Sequence, residues 1–355
     1  MKRDLKKIIS QMTLEEKAGM CSGLDFWHLK SVERLGIPEV MVSDGPHGLR
    51  KQDDKGDHLG MNDSIKAVCF PPAALSACSF DRSLMEAMGE TIGREAQAND
   101  VSVVLGPAVN IKRSPLCGRN FEYYSEDPYL SGTMSVASTG GIKDGGAWGT
   151  IKHFALNGQE SHRFKIDAVC SERAIRQIYL KSFEMAVKAG TVKTLMTAYN
   201  PINGHWAASN YDLCTTILRN EWGYDGIVMT DWWAKMNDVV EGGEESNQDT
   251  RDMVRSQNDV YMVVNNNGAE VNSNNDNTEE SIKEGRLTIG ELQRVAINIC
   301  NFILSAPVIE RELVDTDVAK HYDSVPNDQA KYEVFNIGID DKVMFNSGTE
   351  ATLEV

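Results

Sequence analysis

Short apolar runs alternate along this chain with longer segments whose apolar residues recur at helical spacing. Runs of strand length cover positions 39–43, 101–105, 149–151, 194–196, 227–229 and 260–264. Helical periodicity covers positions 84–98, 172–189, 213–221 and 289–304. Strands that alternate with helices in this way are typical of a parallel sheet with helical crossovers. The pattern therefore predicts an α/β fold.

Local signals mark where the helices begin and where the alternation stops. Thr13 opens a capping-box sequence with Glu16, and Asp81 suits the N-cap of the helix over 84–98. Positions 265–277 are rich in Asn and predict a long exposed loop. Beyond Pro307 the alternation is lost, so we predict one domain over 1–307 and an extension or linker over 308–355.

Composition narrows the choice of substrates and partners. With 36 Lys and Arg against 52 Asp and Glu, the formal charge of −16 repels phosphate backbones, so a nucleic acid is not expected as a partner. Seven scattered cysteines without a C-x-x-C pair argue against a disulfide framework and a zinc site. We therefore expect a neutral substrate, no metal and no cofactor.

Targeting and membrane signals are weak. The first residues carry positive charge but no apolar core of a secretion signal. No run approaches the roughly 20 apolar residues that a membrane span requires. From the sequence we expect no membrane partner and a cytoplasmic location.

Polar side chains follow the predicted strands, where an α/β enzyme builds its active site. Asp231 follows the apolar run 227–229, and Asp44, Lys152, His153 and Tyr199 follow other strands. Two arginines, Arg119 and Arg163, lie in loops, and Trp232 and Trp233 adjoin Asp231. Carboxylates and cations together suit a polyhydroxylated substrate, since each hydroxyl both donates and accepts. A cation near Asp231 is expected to keep that carboxylate ionised, as nucleophilic glycoside cleavage requires.

Each of these residues also has an ordinary structural explanation. Asp231 could cap a helix or form a turn, and Asp44 could belong to a tight turn. The Lys-His pair could lie on the surface, Tyr199 could be a core residue, and Arg119 could form a structural ion pair with Glu122. The constellation as a whole favours a functional site.

Longer segments around these residues resemble the N-terminal catalytic domain of glycoside hydrolase family 3, of the β-glucosidase type. The matching segments are MTLEEKAG from Met12, SDGPHGLR from Ser43, LGPAVNIKRSPLCGRNFEYYSEDP from Leu105, IKHFALNGQE from Ile151, TLMTAYNPINGH from Thr194 and LRNEWGYDGIVMTDW from Leu218. The resemblance covers roughly residues 10–305. It implies a TIM-like (β/α)8 barrel, irregular or incomplete, over 1–307.

The resemblance also implies a mechanism and a site. Asp231 is expected to act as the nucleophile of a retaining double displacement, and Asp44 to bind hydroxyls of the innermost sugar. The residues expected to complete that subsite are Arg119, Lys152, His153, Arg163 and Tyr199, with Met196 and Trp232 packing against the ring. The expected substrate is a neutral β-linked oligosaccharide or an aryl or alkyl β-glucoside.

The proton donor is the point where the chain departs from the family pattern. Retention requires a second carboxylic acid roughly 5 Å from the nucleophile. In β-glucosidases of this family it usually comes from a following α/β sandwich domain, so we expect it from such a domain or from a partner chain. The alternatives are Glu126, Glu160 or His162 within this chain, or a relative that only binds sugar. A β-xylosidase or β-N-acetylhexosaminidase activity is the alternative to β-glucosidase.

Overall fold

The architecture is that of a computed structural model, which describes residues 4–52, 63–262 and 269–306. It also describes the backbone of two later strands, Val343–Asn346 and Glu350–Leu353. These two strands pair antiparallel and lie within the predicted extension, 308–355. The rest of that extension lies outside the described residues.

The helices agree closely with the sequence pattern. The α-helices are α1 (Leu5–Gln11), α2 (Leu14–Gly19), α3 (Ala73–Ala77), α4 (Arg82–Ala98), α5 (Pro128–Gly145), α6 (Glu172–Ala174), α7 (Lys181–Ala189), α8 (Thr250–Ser256), α9 (Thr278–Lys283) and α10 (Ile289–Ser305). Segments Ile175–Tyr179 and Asp212–Glu221 are wound as π-helix, and Glu33–Leu35 and Ala207–Ser209 as 3₁₀-helix. The capping box at Thr13 and the N-cap at Asp81 are both confirmed.

The strands form a curled, mostly parallel sheet. They are β1 (His28–Leu29), β2 (Val40–Asp44), β3 (Val103–Leu105), β4 (Trp148–Phe154), β5 (Thr194–Thr197), β6 (Pro201–Ile202), β7 (His205–Trp206), β8 (Ile227–Met229), β9 (Met236–Asp238), β10 (Gly242–Ser246), β11 (Val343–Asn346) and β12 (Glu350–Leu353). The main sheet has six strands in the order β1-β2-β3-β4-β5-β8. β1 pairs antiparallel with β2, and the other pairs are parallel.

The continuous strands make only part of a barrel. Beyond β8 the described chain continues the curl through single bridges, from Met229 to Val260 and from Tyr261 to Ser22. A bridge from Gly23 to Leu29 then reaches β1. The fold is therefore α/β, as predicted, and its continuous six-stranded sheet is an incomplete half-barrel in place of eight regular strands. The strand predicted over 260–264 is reduced to these bridges, and its positions 263–264 lie outside the described residues.

Both faces of the sheet are buried. Val103 and Leu105 of β3 pack into one apolar cluster, whereas Val104 between them packs into the other. Ile227 and Met229 are likewise separated from Val228 in β8. A parallel sheet covered on both faces gives the near-continuous apolar strands that the sequence shows.

The strand ends place the polar residues together. Asp44 ends β2, and Asp231 follows β8 after one intervening residue. Lys152 and His153 were expected just after a strand, but they lie inside β4 because that strand continues to Phe154. The carboxyl ends of parallel strands share one edge of the sheet, so these side chains converge there.

Candidate active site

A cavity of about 240 Å³ opens at this edge of the sheet. Its lining residues are Phe26, Trp27, Asp44, Arg50, Leu105, Arg119, Lys152, His153, Met196, Asp231, Trp232 and Trp233. One side is ionic and the other is aromatic. Such a division matches a sugar ring, which carries hydroxyls on its rim and C–H groups on its faces.

Asp231 is the most deeply buried acid in the lining, with 7% of its surface exposed. Its Oδ1 accepts a hydrogen bond from the backbone N–H of Trp232 at 2.8 Å. Its Oδ2 is buried and accepts no hydrogen bond from the described residues. The Nε2 atom of His153 lies 3.6 Å from Oδ2. A carboxylate oxygen without a protein donor, in the lining of a cavity, is available to a ligand in that cavity.

Burial raises the pKa of Asp231 above its ordinary value. Arg119, the Trp232 N–H, the Tyr199 hydroxyl and Lys152 each lower it but do not cancel the cost of desolvation. The cations do lower the pKa of Asp231, as expected from the sequence. Desolvation raises that pKa by more, so the net shift is upward. The ionised form is held at a cost in free energy, which makes this carboxylate more basic than an exposed one.

Asp44, the other carboxylate of the lining, lies in a more exposed setting. Its side chain is 34% exposed, and Lys152 Nζ lies 3.5 Å from its Oδ1. Arg50 NH1 lies 3.8 Å from its Oδ2. Arg50 returns beside Asp44 through a tight turn that includes Gly48, where an added Cβ would lie 1.9 Å from the Val68 carbonyl oxygen. The turn and β4 together thus place a cation beside each oxygen of Asp44.

Lys152 and His153 are both buried, so the alternative of a surface pair is wrong. Asn110 holds the backbone at this point from both sides. Its Nδ2 donates to the His153 carbonyl at 2.8 Å, and its Oδ1 accepts from the His153 N–H at 2.8 Å. Burial lowers the pKa of His153 well below its ordinary value, and the charges of Arg119, Lys152 and Arg163 lower it further. The imidazole is therefore neutral at neutral pH.

Tyr199 and Arg163 do not line the cavity, but they adjoin it. The Arg163 guanidinium lies 4.5 Å from the centroid of the Tyr199 ring. Burial raises the pKa of Tyr199, and the charge of Asp231 adds to the rise, so the hydroxyl keeps its proton at neutral pH. A protonated hydroxyl near Asp231 can donate to its carboxylate.

Four aromatic side chains form the other side of the cavity. Phe26 meets Trp27 edge to face at 4.6 Å and Trp233 at 5.8 Å between ring centroids. The Trp232 indole donates to the Phe26 carbonyl at 3.2 Å, which ties it to the loop before β1. Trp233 is 38% exposed at the mouth and has a left-handed backbone with φ of 57°. The backbone N–H of Trp233 donates to the Met262 carbonyl at 2.6 Å, which fixes the backbone that carries the ring.

The predicted site is thus largely assembled in one place. Asp44, Arg119, Lys152, His153, Met196, Asp231 and Trp232 all line the cavity. Arg50, Phe26, Trp27 and Leu105 also line the cavity, although the sequence pattern does not mark them as site residues. Arg50 ends the quoted segment SDGPHGLR, which was the one available signal. Glu122 does pair with Arg119, as the alternative explanation proposed.

The described residues contain neither a candidate metal-binding cluster nor a candidate membrane-spanning helix. Among the residues that the structure describes, no three His, Cys, Asp or Glu side chains are grouped so that they could hold a metal ion. No helix in that part of the chain has both the length and the apolar character to cross a bilayer.

Comparison with known proteins places the chain in a family. The model of the glycosyl hydrolase family 3 N-terminal domain matches residues 28–301. The thermostable β-glucosidase B of Acetivibrio thermocellus is 55% identical over 239 residues, covering 67% of this chain and 32% of that protein. An exo-α-(1→6)-L-arabinopyranosidase of Bifidobacterium breve is 39% identical over 348 residues, covering 97% of this chain and 43% of that protein.

Solved structures agree with this placement. A β-glucosidase from Paenibacillus barengoltzii superposes with a TM-score of 0.80 at 50% identity, covering 88% of this chain and 34% of that one. The chain therefore spans about a third of the length of these two β-glucosidases.

Proposed function

The chain belongs to glycosyl hydrolase family 3, and on that premise we propose that it bears the nucleophile of a retaining β-glucosidase. The reaction is removal of a non-reducing terminal β-D-glucosyl residue from a neutral oligosaccharide or an aryl or alkyl glucoside. One observation carries the proposal. Asp231 is buried beside a cavity with one oxygen that no described residue binds, and three cationic side chains, Arg50, Arg119 and Lys152, line the same cavity.

Asp231 performs the first displacement. Its free oxygen attacks the anomeric carbon, and the bond from that carbon to the leaving oxygen breaks with its electron pair going to the oxygen. A proton from the acid neutralises the leaving oxygen. Water, deprotonated by the same group, then hydrolyses the glycosyl-enzyme ester with a second inversion, so the configuration is retained.

The ionic side of the cavity binds the sugar. Asp44, with Lys152 and Arg50 beside its two oxygens, accepts hydrogen bonds from hydroxyls distant from the anomeric carbon. The neutral imidazole of His153 and the charged guanidinium of Arg119 bind hydroxyls nearer to Asp231. Met196 and Trp232 pack against the ring, where the C–H groups are apolar.

The acid comes from outside the described residues. Asp44 and Asp231 are the only carboxyl groups that the described part of the chain contributes to the cavity lining. Glu126 and His162 are exposed and do not line it. Both oxygens of Glu160 are engaged by Asn157 and Arg163. A further α/β sandwich domain or a partner chain supplies the proton in this proposal, and residues 1–307 form the barrel domain beside it.

An L-arabinopyranoside is a second candidate substrate. The observation in its favour is the coverage of 97% of this chain by relatives named exo-α-(1→6)-L-arabinopyranosidase. A pentopyranoside can be cleaved by the same carboxylate chemistry.

The test is hydrolysis of a panel of 2,4-dinitrophenyl glycosides, whose leaving group departs without acid assistance. The panel contains β-D-glucoside, β-D-xyloside, N-acetyl-β-D-glucosaminide and α-L-arabinopyranoside, and NMR reports the anomer first released. We expect the highest kcat/KM for the β-glucoside and release of β-glucose. Release of α-glucose would contradict retention, and a preference for the arabinopyranoside would select the second candidate.

A further inference from the structure

A row of alternating charges lies behind the ionic side of the cavity. Glu122 pairs with Arg119 through Nε, and the same nitrogen lies 4.0 Å from Glu160 Oε1. Glu160 Oε2 in turn lies 2.7 Å from Arg163 NH1. The order is therefore acid, base, acid, base. Only Arg119 of these four lines the cavity.

Glu160 joins two arginines that come from different loops. Arg119 lies in the loop between β3 and α5, and Arg163 in the loop between β4 and α6. Glu160 itself is fixed by a third contact, since Asn157 Nδ2 donates to its Oε1 at 3.0 Å. Asn157 is buried and also donates to the Tyr123 hydroxyl at 3.1 Å. The Glu160 carboxylate is therefore held by contacts with Asn157, Arg119 and Arg163.

The two arginines act on Asp231 by different routes. Arg119 lowers the pKa of Asp231 directly through its charge. Arg163 lies over the Tyr199 ring at 4.5 Å, and the neighbouring Tyr199 hydroxyl lowers the pKa of Asp231. A displacement of either arginine would leave the buried Asp231 less well stabilised in its charged form.

We propose that Glu160 is a positioning residue for glycoside cleavage, which holds Arg119 and Arg163 in place beside Asp231 and Tyr199. The proposal rests on the function proposed above, because it assigns Glu160 a part in the chemistry of Asp231. It also separates Glu160 from the role of proton donor. A donor must face the leaving oxygen with a proton, whereas the oxygens of Glu160 face Asn157 and Arg163.

The experiment compares Glu160→Gln with the wild-type protein on aryl β-glucosides that span good and poor leaving groups. Glu126→Gln is the matched control, since Glu126 is exposed and lies outside the cavity lining. A positioning role predicts a loss in kcat/KM of about tenfold to a hundredfold for every leaving group, because misplaced groups weaken catalysis whichever bond is cleaved. The acid limb of the pH profile should move to higher pH. The control should behave as wild type.

A loss confined to poor leaving groups, with recovery on addition of azide, would show that Glu160 is the acid and would overturn the proposal. Wild-type rates and an unmoved acid limb in Glu160→Gln would overturn it as well. Asn157→Ala provides a second variant, which releases Glu160 without changing its charge and should shift the same limb by a smaller amount. Thermal unfolding of each variant identifies a loss caused by misfolding.

Labelling by a 2-deoxy-2-fluoro-β-glucoside keeps the two proposals apart. If wild-type protein forms an adduct at Asp231 and Glu160→Gln forms it at the same rate, the positioning role fails and the proposed function stands. If wild-type protein is labelled at another carboxylate, the proposed function itself fails.

Discussion

Two buried aspartates near the same strand have opposite surroundings. Asp259 is 0% exposed and Asp231 7%, and burial raises the pKa of both. Asp259 is fully satisfied: its Oδ2 binds Arg219 NH2 at 2.6 Å and the Val228 N–H at 2.8 Å, and its Oδ1 binds Asn298 at 2.8 Å. Through these three partners Asp259 connects β8, α10 and the π-helical segment Asp212–Glu221.

Asp231 has one hydrogen bond, from the Trp232 N–H, and an oxygen that no described donor reaches. Burial and a raised pKa are therefore common to a structural carboxylate and to the proposed nucleophile. What distinguishes Asp231 is an oxygen without a donor beside a cavity, because an incoming carbon can approach that oxygen, whereas donors hold both oxygens of Asp259. The contrast predicts that the two residues respond oppositely to the same substitution.

Asp231→Asn should produce the largest effect on activity. The amide keeps the shape but is no nucleophile, so kcat should fall on the order of 10³-fold or more. Stability should stay the same or rise, since a buried charge is removed. Rates on a dinitrophenyl glucoside, together with thermal unfolding, measure both. Retained turnover would show that another group attacks the sugar.

Asp259→Asn should produce the reverse result. Arg219 would lose its ionic partner in a site where its side chain is 7% exposed, and breaking a buried pair costs about 3–5 kcal/mol. Denaturant unfolding should show this loss, while the folded fraction should keep its kcat/KM. An unchanged unfolding free energy would contradict the structural role of Asp259.

Substitution of Asn110 tests whether a hydrogen-bonded polar group near the cavity contributes to stability, as expected for Asp259, or to activity, as expected for Asp231. Asn110→Ala removes both bonds to the His153 backbone, so stability should fall by about 1–3 kcal/mol. Activity should fall as well, by about tenfold, because Lys152 and His153 lose their fixed orientation. Asn110→Asp keeps the acceptor and should lose less. A stability loss without any change in kcat/KM would restrict Asn110 to a structural role.

The pH dependence of stability should show the smallest effect. The pKa of Asp231 is raised above 3.8 in the folded protein, so the folded state holds a proton that the unfolded state has released. Stability is therefore lost as pH rises from about 4 through the raised pKa. Unfolding free energies of wild type and Asp231→Asn should converge at acid pH and separate toward neutral pH, with the variant more stable. A wild-type protein that gains on the variant as pH rises would contradict the raised pKa.

The sequence was informative where structure is local. The apolar run 227–229 followed by Asp231 predicted a strand and the residue beyond it, and both are found. Arg50 was missed because only the folded turn after Asp44 shows that its side chain returns. Phe26 was missed because its contact with Trp232 joins residues 206 positions apart. Periodicity carries no information on such non-local contacts. It also does not show whether a hydrogen-bond donor reaches the Oδ2 atom of Asp231.

The most direct test of the account is covalent trapping of the wild-type chain. Incubation with 2,4-dinitrophenyl 2-deoxy-2-fluoro-β-D-glucoside, followed by intact-mass and peptide mass spectrometry, locates the attacking carboxylate without the need for an acid. We expect a single adduct on the peptide that contains Asp231, and none in Asp231→Asn, while Asp259→Asn is still labelled. An adduct on another carboxylate, or labelling that persists in Asp231→Asn, would contradict the assignment of Asp231 as the nucleophile.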